Sequence, residues 1–171
     1  IAVLNGNAVN LNGFNAATQS FEVWEGNGKG VTGTSAAETF DFSGLTAVTG
    51  SGMGFVDAGD GSDKIIGTKF ADDLRGGAGN DLIGGGQGND LLSGGAGSDS
   101  FVFNVGFGKD KITDFTAGTG STHDVIDFDH SVFANYSQIQ AAMTQVGSDV
   151  VITAGADTVT IAGVNAASLV S

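Results

Sequence analysis

Five aspartates, Asp63, Asp72, Asp81, Asp90 and Asp99, follow one another at intervals of nine residues. Each closes a run of small or polar residues and is followed, two positions on, by a large apolar one: Ile65, Leu74, Ile83, Leu92 and Phe101. Nine fits neither a helical face nor a simple strand alternation. The blocks read AGDGSDKII (58–66), GTKFADDLR (67–75), GGAGNDLIG (76–84), GGQGNDLLS (85–93) and GGAGSDSFV (94–102). Looser matches are VGFGKDKIT (105–113), which resumes the pattern after a two-residue slip with Asp110 and Ile112, TGSTHDVID (119–127) with Asp124, and GTSAAETFD (33–41) with Glu38. TGSGMGFVD (49–57) has Gly54 where the acid belongs.

A turn that holds a carboxylate among glycines offers oxygen ligands and little else. Tight glycine geometry leaves backbone carbonyls unpaired, and an all-oxygen set without nitrogen or sulfur suits a hard cation. Calcium tolerates irregular, oxygen-rich coordination better than magnesium does. Composition points the same way. Of 19 acids only Glu22, Glu25 and Glu38 are glutamate, there are 30 glycines, and proline and cysteine are absent. Aspartate with glycine belongs to turns rather than to helical surfaces. The formal net charge of −13 disfavours nucleic acid and anionic membranes. Without cysteine there is neither a disulfide framework nor a zinc–thiolate site. No apolar run is long enough to span a membrane, so no membrane insertion is expected. A chain that begins at Ile1 without a signal peptide is expected to be part of a longer protein.

The elements that must position these groups follow from the period. Six turn residues and three strand residues, with only the eighth side chain pointing inward, make half a coil. Two blocks complete it, and coils stack at the ~4.8 Å strand spacing. The expected fold is mainly β: a right-handed parallel β-roll of nonapeptide repeats over 33–127. An irregular β cap over 1–32 should precede it, and a helix-plus-hairpin cap over 128–171 should follow. In the latter, SQIQAAMTQV (137–146) reads as a helix N-capped by Ser137. Strands 150–153 and 158–162 flank a turn at Gly155, and a helical turn follows over 165–169. Stacking places block i beside block i+2, so Asp63, Asp81 and Asp99 should line one edge and Asp72, Asp90 and Asp110 the other. One apolar residue per nine is a thin core for a glycine-rich chain, so folding should need bound cations.

At these residues the sequence resembles the repeats-in-toxin (RTX) calcium-binding family, whose motif G-G-x-G-x-D-x-U-x is matched almost fully at 76–84, 85–93 and 94–102. The resemblance implies several calcium ions, bridged by the sixth-position aspartates and held by carbonyls of the first four positions. Those are Gly76, Gly77, Ala78 and Gly79, then Gly85, Gly86, Gln87 and Gly88, then Gly94, Gly95, Ala96 and Gly97. Gly59, Asp60 and Gly61, and Gly106 and Gly108, are the corresponding candidates in the outer blocks. Block 67–75 has lost most of its glycines, which puts its carbonyls in question but not Asp72. The segment FVFNVGFGKDKITDF…DVIDF with the following helix and hairpin resembles the tail of type I secreted bacterial proteins. It implies export unfolded through a type I secretion apparatus, an extracellular or cell-surface location, and folding on calcium outside the cell.

No catalytic residue is assigned. His123 and His130 lack a metal-binding pattern, and GKGVTG (28–33) lacks the strand-to-helix context of a dinucleotide site. Asp57, Asp73, Asp114, Asp127 and Asp129 belong to a repeat context that accounts for acids without glycosidase chemistry. Trp24 reads as packing. The alternatives to a folding module are an adhesin-like or polysaccharide-binding domain, with a cell-surface or extracellular polysaccharide as partner, and the non-catalytic tail of a secreted hydrolase or epimerase.

Overall fold

A computed structural model describes residues 9–10, 23–24, 30–45, 47–48, 54–120 and 122–169. Most of the expected N-terminal cap, the opening of the 49–57 block and the side chain of Trp24 lie outside them.

The repeat builds two facing parallel sheets. One carries β1 (Val9–Asn10), β3 (Val31–Thr34), β6 (Val56–Asp60), β8 (Asp73–Ala78), β10 (Leu91–Ala96) and β12 (Lys109–Ile112), in that order. The other carries β4 (Thr39–Asp41), β7 (Lys64–Ile66), β9 (Leu82–Gly84), β11 (Ser100–Phe103) and β13 (Val125–Phe128). A small parallel pair, β2 (Val23–Trp24) with β5 (Ala47–Val48), stands apart. Register follows the repeat, with Leu74 beside Val56 and Leu92, and Ile83 beside Ile65 and Phe101. All six are fully buried, because alternate side chains of a strand face opposite sides. The two inward rows therefore meet as a parallel β-roll.

The sheets are unequal. Strands of three or four residues form the second sheet, but β8 and β10 run six residues, from position seven of one block through position three of the next. Pairing thus continues into the glycines, with Gly77 beside Gly59 and Gly95, and Ala78 beside Ala96. The expected six-residue turn is shorter on that edge, because glycine lets the backbones approach closely enough to keep pairing. An added Cβ at Gly77 or Gly79 would strike the carbonyl of Gly59 or Gly61 in the preceding coil, and both glycines hold positive φ, 112° and 132°.

The C-terminal region continues the first sheet. Helix α1 (Tyr136–Ala142) is shorter than expected, and its cap is Asn135, whose side chain accepts from the Gln138 N–H. Residues 143–146 form strand β14 (Met143–Val146) instead of helix. This strand pairs antiparallel with β15 (Asp149–Ala154), which pairs antiparallel with β16 (Asp157–Ile161). Because β16 pairs in parallel with β12, the hairpin covers the last coil edge to edge. A 3₁₀ turn, Ala166–Leu169, follows. Val150, Ile152, Val159, Ile161 and Val164 are the buried apolar side chains of this hairpin and the turn after it. Phe103, Phe107, Phe128 and Phe133 close the end of the roll, with ring centroids 5.0–6.1 Å apart between contacting pairs. Among the described residues no helix is long and apolar enough to cross a membrane.

Candidate metal centre

The turns bring the sixth-position acids into two buried ladders, one at each edge. On the first edge Glu38 N–H donates to Asp63 Oδ1 (2.6 Å), Asp63 N–H to Asp81 Oδ1 (2.8 Å), Asp81 N–H to Asp99 Oδ1 (2.9 Å) and Asp99 N–H to Asp124 Oδ1 (3.0 Å). On the second, Asp72 N–H donates to Asp90 Oδ1 and Asp90 N–H to Asp110 Oδ1, both at 2.9 Å. The split is the one expected from stacking block i on block i+2. Glu38 and Asp124, which the sequence left ambiguous, belong to the first ladder as its end members.

Asp63, Asp81, Asp99, Asp124, Asp90 and Asp110 therefore each spend one oxygen on holding the neighbouring coil in register. The other oxygen is a different matter. Oδ2 of Asp63, Asp81, Asp90, Asp99 and Asp110 is buried with no hydrogen-bond partner. A buried carboxylate oxygen without a donor or counter-charge is costly, so five of them in register call for a ligand. The surroundings supply only oxygen. At Gly76 an added Cβ would lie between Asp81 Oδ2 and the Gly94 carbonyl of the next coil, and at Gly85 and Gly94 it would run into Oδ2 of Asp90 and Asp99. The absent side chains leave room beside the free oxygens. Among the described residues no three acidic or histidine side chains converge on one point. A cation here would be held by a carboxylate from a turn together with backbone carbonyls, a donor set that fits calcium.

Electrostatics agree with that need. Burial is the largest influence on Asp63, Asp72, Asp81, Asp90, Asp99 and Asp110 and raises all six above the ordinary carboxylate range, against the opposing effect of the N–H groups they accept. Asp72 and Asp81 are pushed up to about 6, Asp110 to about 7 and Asp90 to about 8. For Asp81 and Asp90 the acids above and below in the ladder add to the rise.

The other candidates divide. Gly77, Gly79, Gly86, Gly88, Gly95 and Gly97 all hold positive φ, as do Gly59, Gly61, Gly106 and Gly108. The carbonyls of Ala78 and Ala96 already accept from Gly61 and Gly79 N–H at 2.7 Å, so each has one lone pair left. The Gln87 N–H donates to the Thr68 carbonyl. Asp60 is exposed at the end of β6. Gly106 N–H is held by Asp157 Oδ2 from the cap hairpin, at 3.1 Å. Asp114 accepts from Ser93 Oγ and the N–H groups of Gly94 and Gly95. Asp73 pairs with Arg75 on the exposed face, and His123 Nδ1 lies 2.8 Å from the Gly120 carbonyl.

Position five is the part that sequence reasoning missed. Asn80 N–H donates to Ser62 Oγ, Ser98 N–H to Asn80 Oδ1 and His123 N–H to Ser98 Oγ, while Lys109 N–H donates to Asn89 Oδ1 on the other edge. This second ladder runs in the opposite sense to the acid ladder. The Ser or Asn before Asp63, Asp81, Asp90 and Asp99 is its only trace in the sequence.

Comparison with known proteins bears on these turns. Residues 57–92, 66–101 and 85–112 match the family model described as the RTX calcium-binding nonapeptide repeat (4 copies). No curated protein matches the chain in sequence. Among solved structures, the extracellular lipase LipA from Serratia marcescens is matched over 87% of this chain at 15% identity, with a TM-score of 0.42. The chain spans 38% of that structure's length.

Proposed function

We propose, from the premise that residues 57–112 are RTX calcium-binding nonapeptide repeats, that the chain is a calcium-triggered folding module of a larger secreted protein. The observation that carries this reading is the row of buried, unpartnered Oδ2 atoms on Asp63, Asp81, Asp90, Asp99 and Asp110. Bound calcium supplies the positive charge that lets these carboxylates ionise side by side inside the roll. The chain's residues do the rest. Oδ1 of each aspartate fixes the coil spacing through a backbone N–H, while Oδ2 and carbonyls of the glycine positions would supply the oxygens that hold the ion. The fifth-position Ser and Asn side chains lock the same turns from the other direction.

Extracellular modules of this ligand type bind calcium with dissociation constants of ~10⁻⁴–10⁻³ M. Such sites stay empty at cytosolic calcium and fill at external calcium, so the chain would leave the cell unfolded and fold outside it. Type I export fits that order of events, and the C-terminal cap, which pairs with β12 of the last coil, would then close the roll. Far-UV circular dichroism during a calcium titration tests the reading. A cooperative gain of β signal, reversed by chelator, is expected. A chain that keeps its full β signal in chelator would refute it.

A further inference from the structure

Three members of the acid ladders are unlike the other five. Glu38, Asp72 and Asp124 are also buried, yet none leaves its second oxygen without a donor. Asp124 Oδ2 accepts from the Thr116 N–H at 2.7 Å. Glu38 and Asp72 are closed in another way, and twice over in the same pattern. Thr34 N–H donates to Glu38 Oε2 at 2.9 Å and the Thr34 hydroxyl donates to Oε1. Thr68 N–H donates to Asp72 Oδ2 at 2.6 Å and the Thr68 hydroxyl donates to the same oxygen at 2.9 Å. Each hydroxyl in turn accepts from the N–H two residues on, Ala36 at 3.2 Å and Phe70 at 2.9 Å.

The sequence explains the coincidence. Both blocks open Gly-Thr, GTSAAE and GTKFAD, where the other blocks of the pattern carry glycine in second place. In Gly59, Gly77, Gly86 and Gly95 that second residue holds φ between 94° and 112°, a region a β-branched residue avoids. Threonine stands there instead, and its N–H and hydroxyl both reach the carboxylate. No such donors reach Oδ2 in the glycine-glycine blocks. Position matters as well. Glu38 is the first described rung of one ladder and Asp72 of the other.

We propose that Thr34 and Thr68 take the place of a cation at the first rung of each carboxylate ladder, so that the calcium column begins at Asp63 on one edge and at Asp90 on the other. Two short donors satisfy a carboxylate that would otherwise need a metal, and they leave the N-terminal rungs closed without one. Each ladder thus has, as its first described rung, a metal-free turn against which the calcium-filled turns stack. This inference rests on the reading of the glycine-rich turns as calcium sites and assigns Asp72 away from them.

The test is the number of calcium ions bound per chain at saturation, measured by equilibrium dialysis on the full chain and on variants with wild-type circular dichroism in calcium. Asp72→Asn and Glu38→Gln should keep the wild-type number, whereas Asp81→Asn and Asp90→Asn should each lose at least one ion. Loss of an ion from Asp72→Asn or Glu38→Gln, with the other two behaving as expected, overturns the inference and leaves the calcium reading intact. A wild-type chain that binds no calcium overturns both. Should Asp72→Asn not fold, Glu38→Gln on the opposite edge decides the same question.

Discussion

Asp90 separates the two duties of a ladder carboxylate, because asparagine keeps one and alanine removes both. Its Oδ1 accepts the Asp72 N–H at 2.9 Å, and its Oδ2 is buried without a partner. Asp90→Asn retains an acceptor for that N–H but withdraws the charge. For a site of ~10⁻⁴ M affinity in about 10 mM calcium, about 100-fold above its dissociation constant, losing the ion costs about 2.7 kcal/mol of folding stability. Asp90→Ala loses the same ion and also leaves the Asp72 N–H buried without an acceptor, a further ~1–3 kcal/mol. Urea unfolding in that calcium concentration, followed by circular dichroism, should therefore rank wild type above Asp90→Asn and Asp90→Ala lowest. The total loss for alanine should be about 4–6 kcal/mol. An Asp90→Asn chain as stable as wild type would refute the metal duty of Asp90. An alanine variant no worse than the asparagine one would refute its backbone duty.

Other perturbations probe the remaining parts. Leu92→Ala, at a fully buried position, should cost ~2–5 kcal/mol in the same urea assay, and a loss below ~1 kcal/mol would mean that the two inward rows do not form the core. In chelator, residual β structure should be greater at pH 5 than at pH 8. Burial raises Asp81, Asp110 and Asp90 to about 6, 7 and 8, so the folded chain holds protons that the unfolded chain has released, and stability falls as pH rises through those values. The reverse order by circular dichroism would contradict the buried ladder. Gly97→Ala should lower the urea midpoint in calcium more than Gly155→Ala does. Gly97 holds φ 146° with the Gly79 carbonyl carbon 2.6 Å from the added Cβ, whereas Gly155 holds φ 66° facing open space.

What could be read before the fold was known is what repeats at a fixed position with a fixed residue type. Acids at position six and apolar residues at position eight declare the half-coil, the two edges and the inward rows. They do so because stacking depends only on the period. What could not be read depends on contacts between coils. The hydroxyl or amide at position five has meaning only once another turn lies within hydrogen-bond reach of it, so Ser62, Asn80, Asn89 and Ser98 looked interchangeable. The helix cap slipped for a local reason: Asn135 and Ser137 are both capping residues, and the choice falls on the one whose oxygen reaches the N–H three residues on. Residues 143–146 left the helix because β15 offers them a full antiparallel register.

The threonine blocks show why departure from a repeat is not the same as decay of it. Read against a glycine pattern, GTKFAD is a damaged calcium turn that has kept its acid. Read against its three-dimensional neighbours, it is a turn whose carboxylate is already satisfied. Asp72 still gives its own N–H to Asp90 and its own carbonyl to the Leu91 N–H, so the next coil sees the same docking edge whether or not an ion lies below. Between coils the ladder transmits geometry through the backbone and Oδ1, while Oδ2 alone registers the metal. A repeat protein organised this way can exchange a cation for a hydroxyl at its ends without disturbing register. The cost of metal dependence then falls on the interior turns, where Gly77, Gly86 and Gly95 leave no side chain to serve instead.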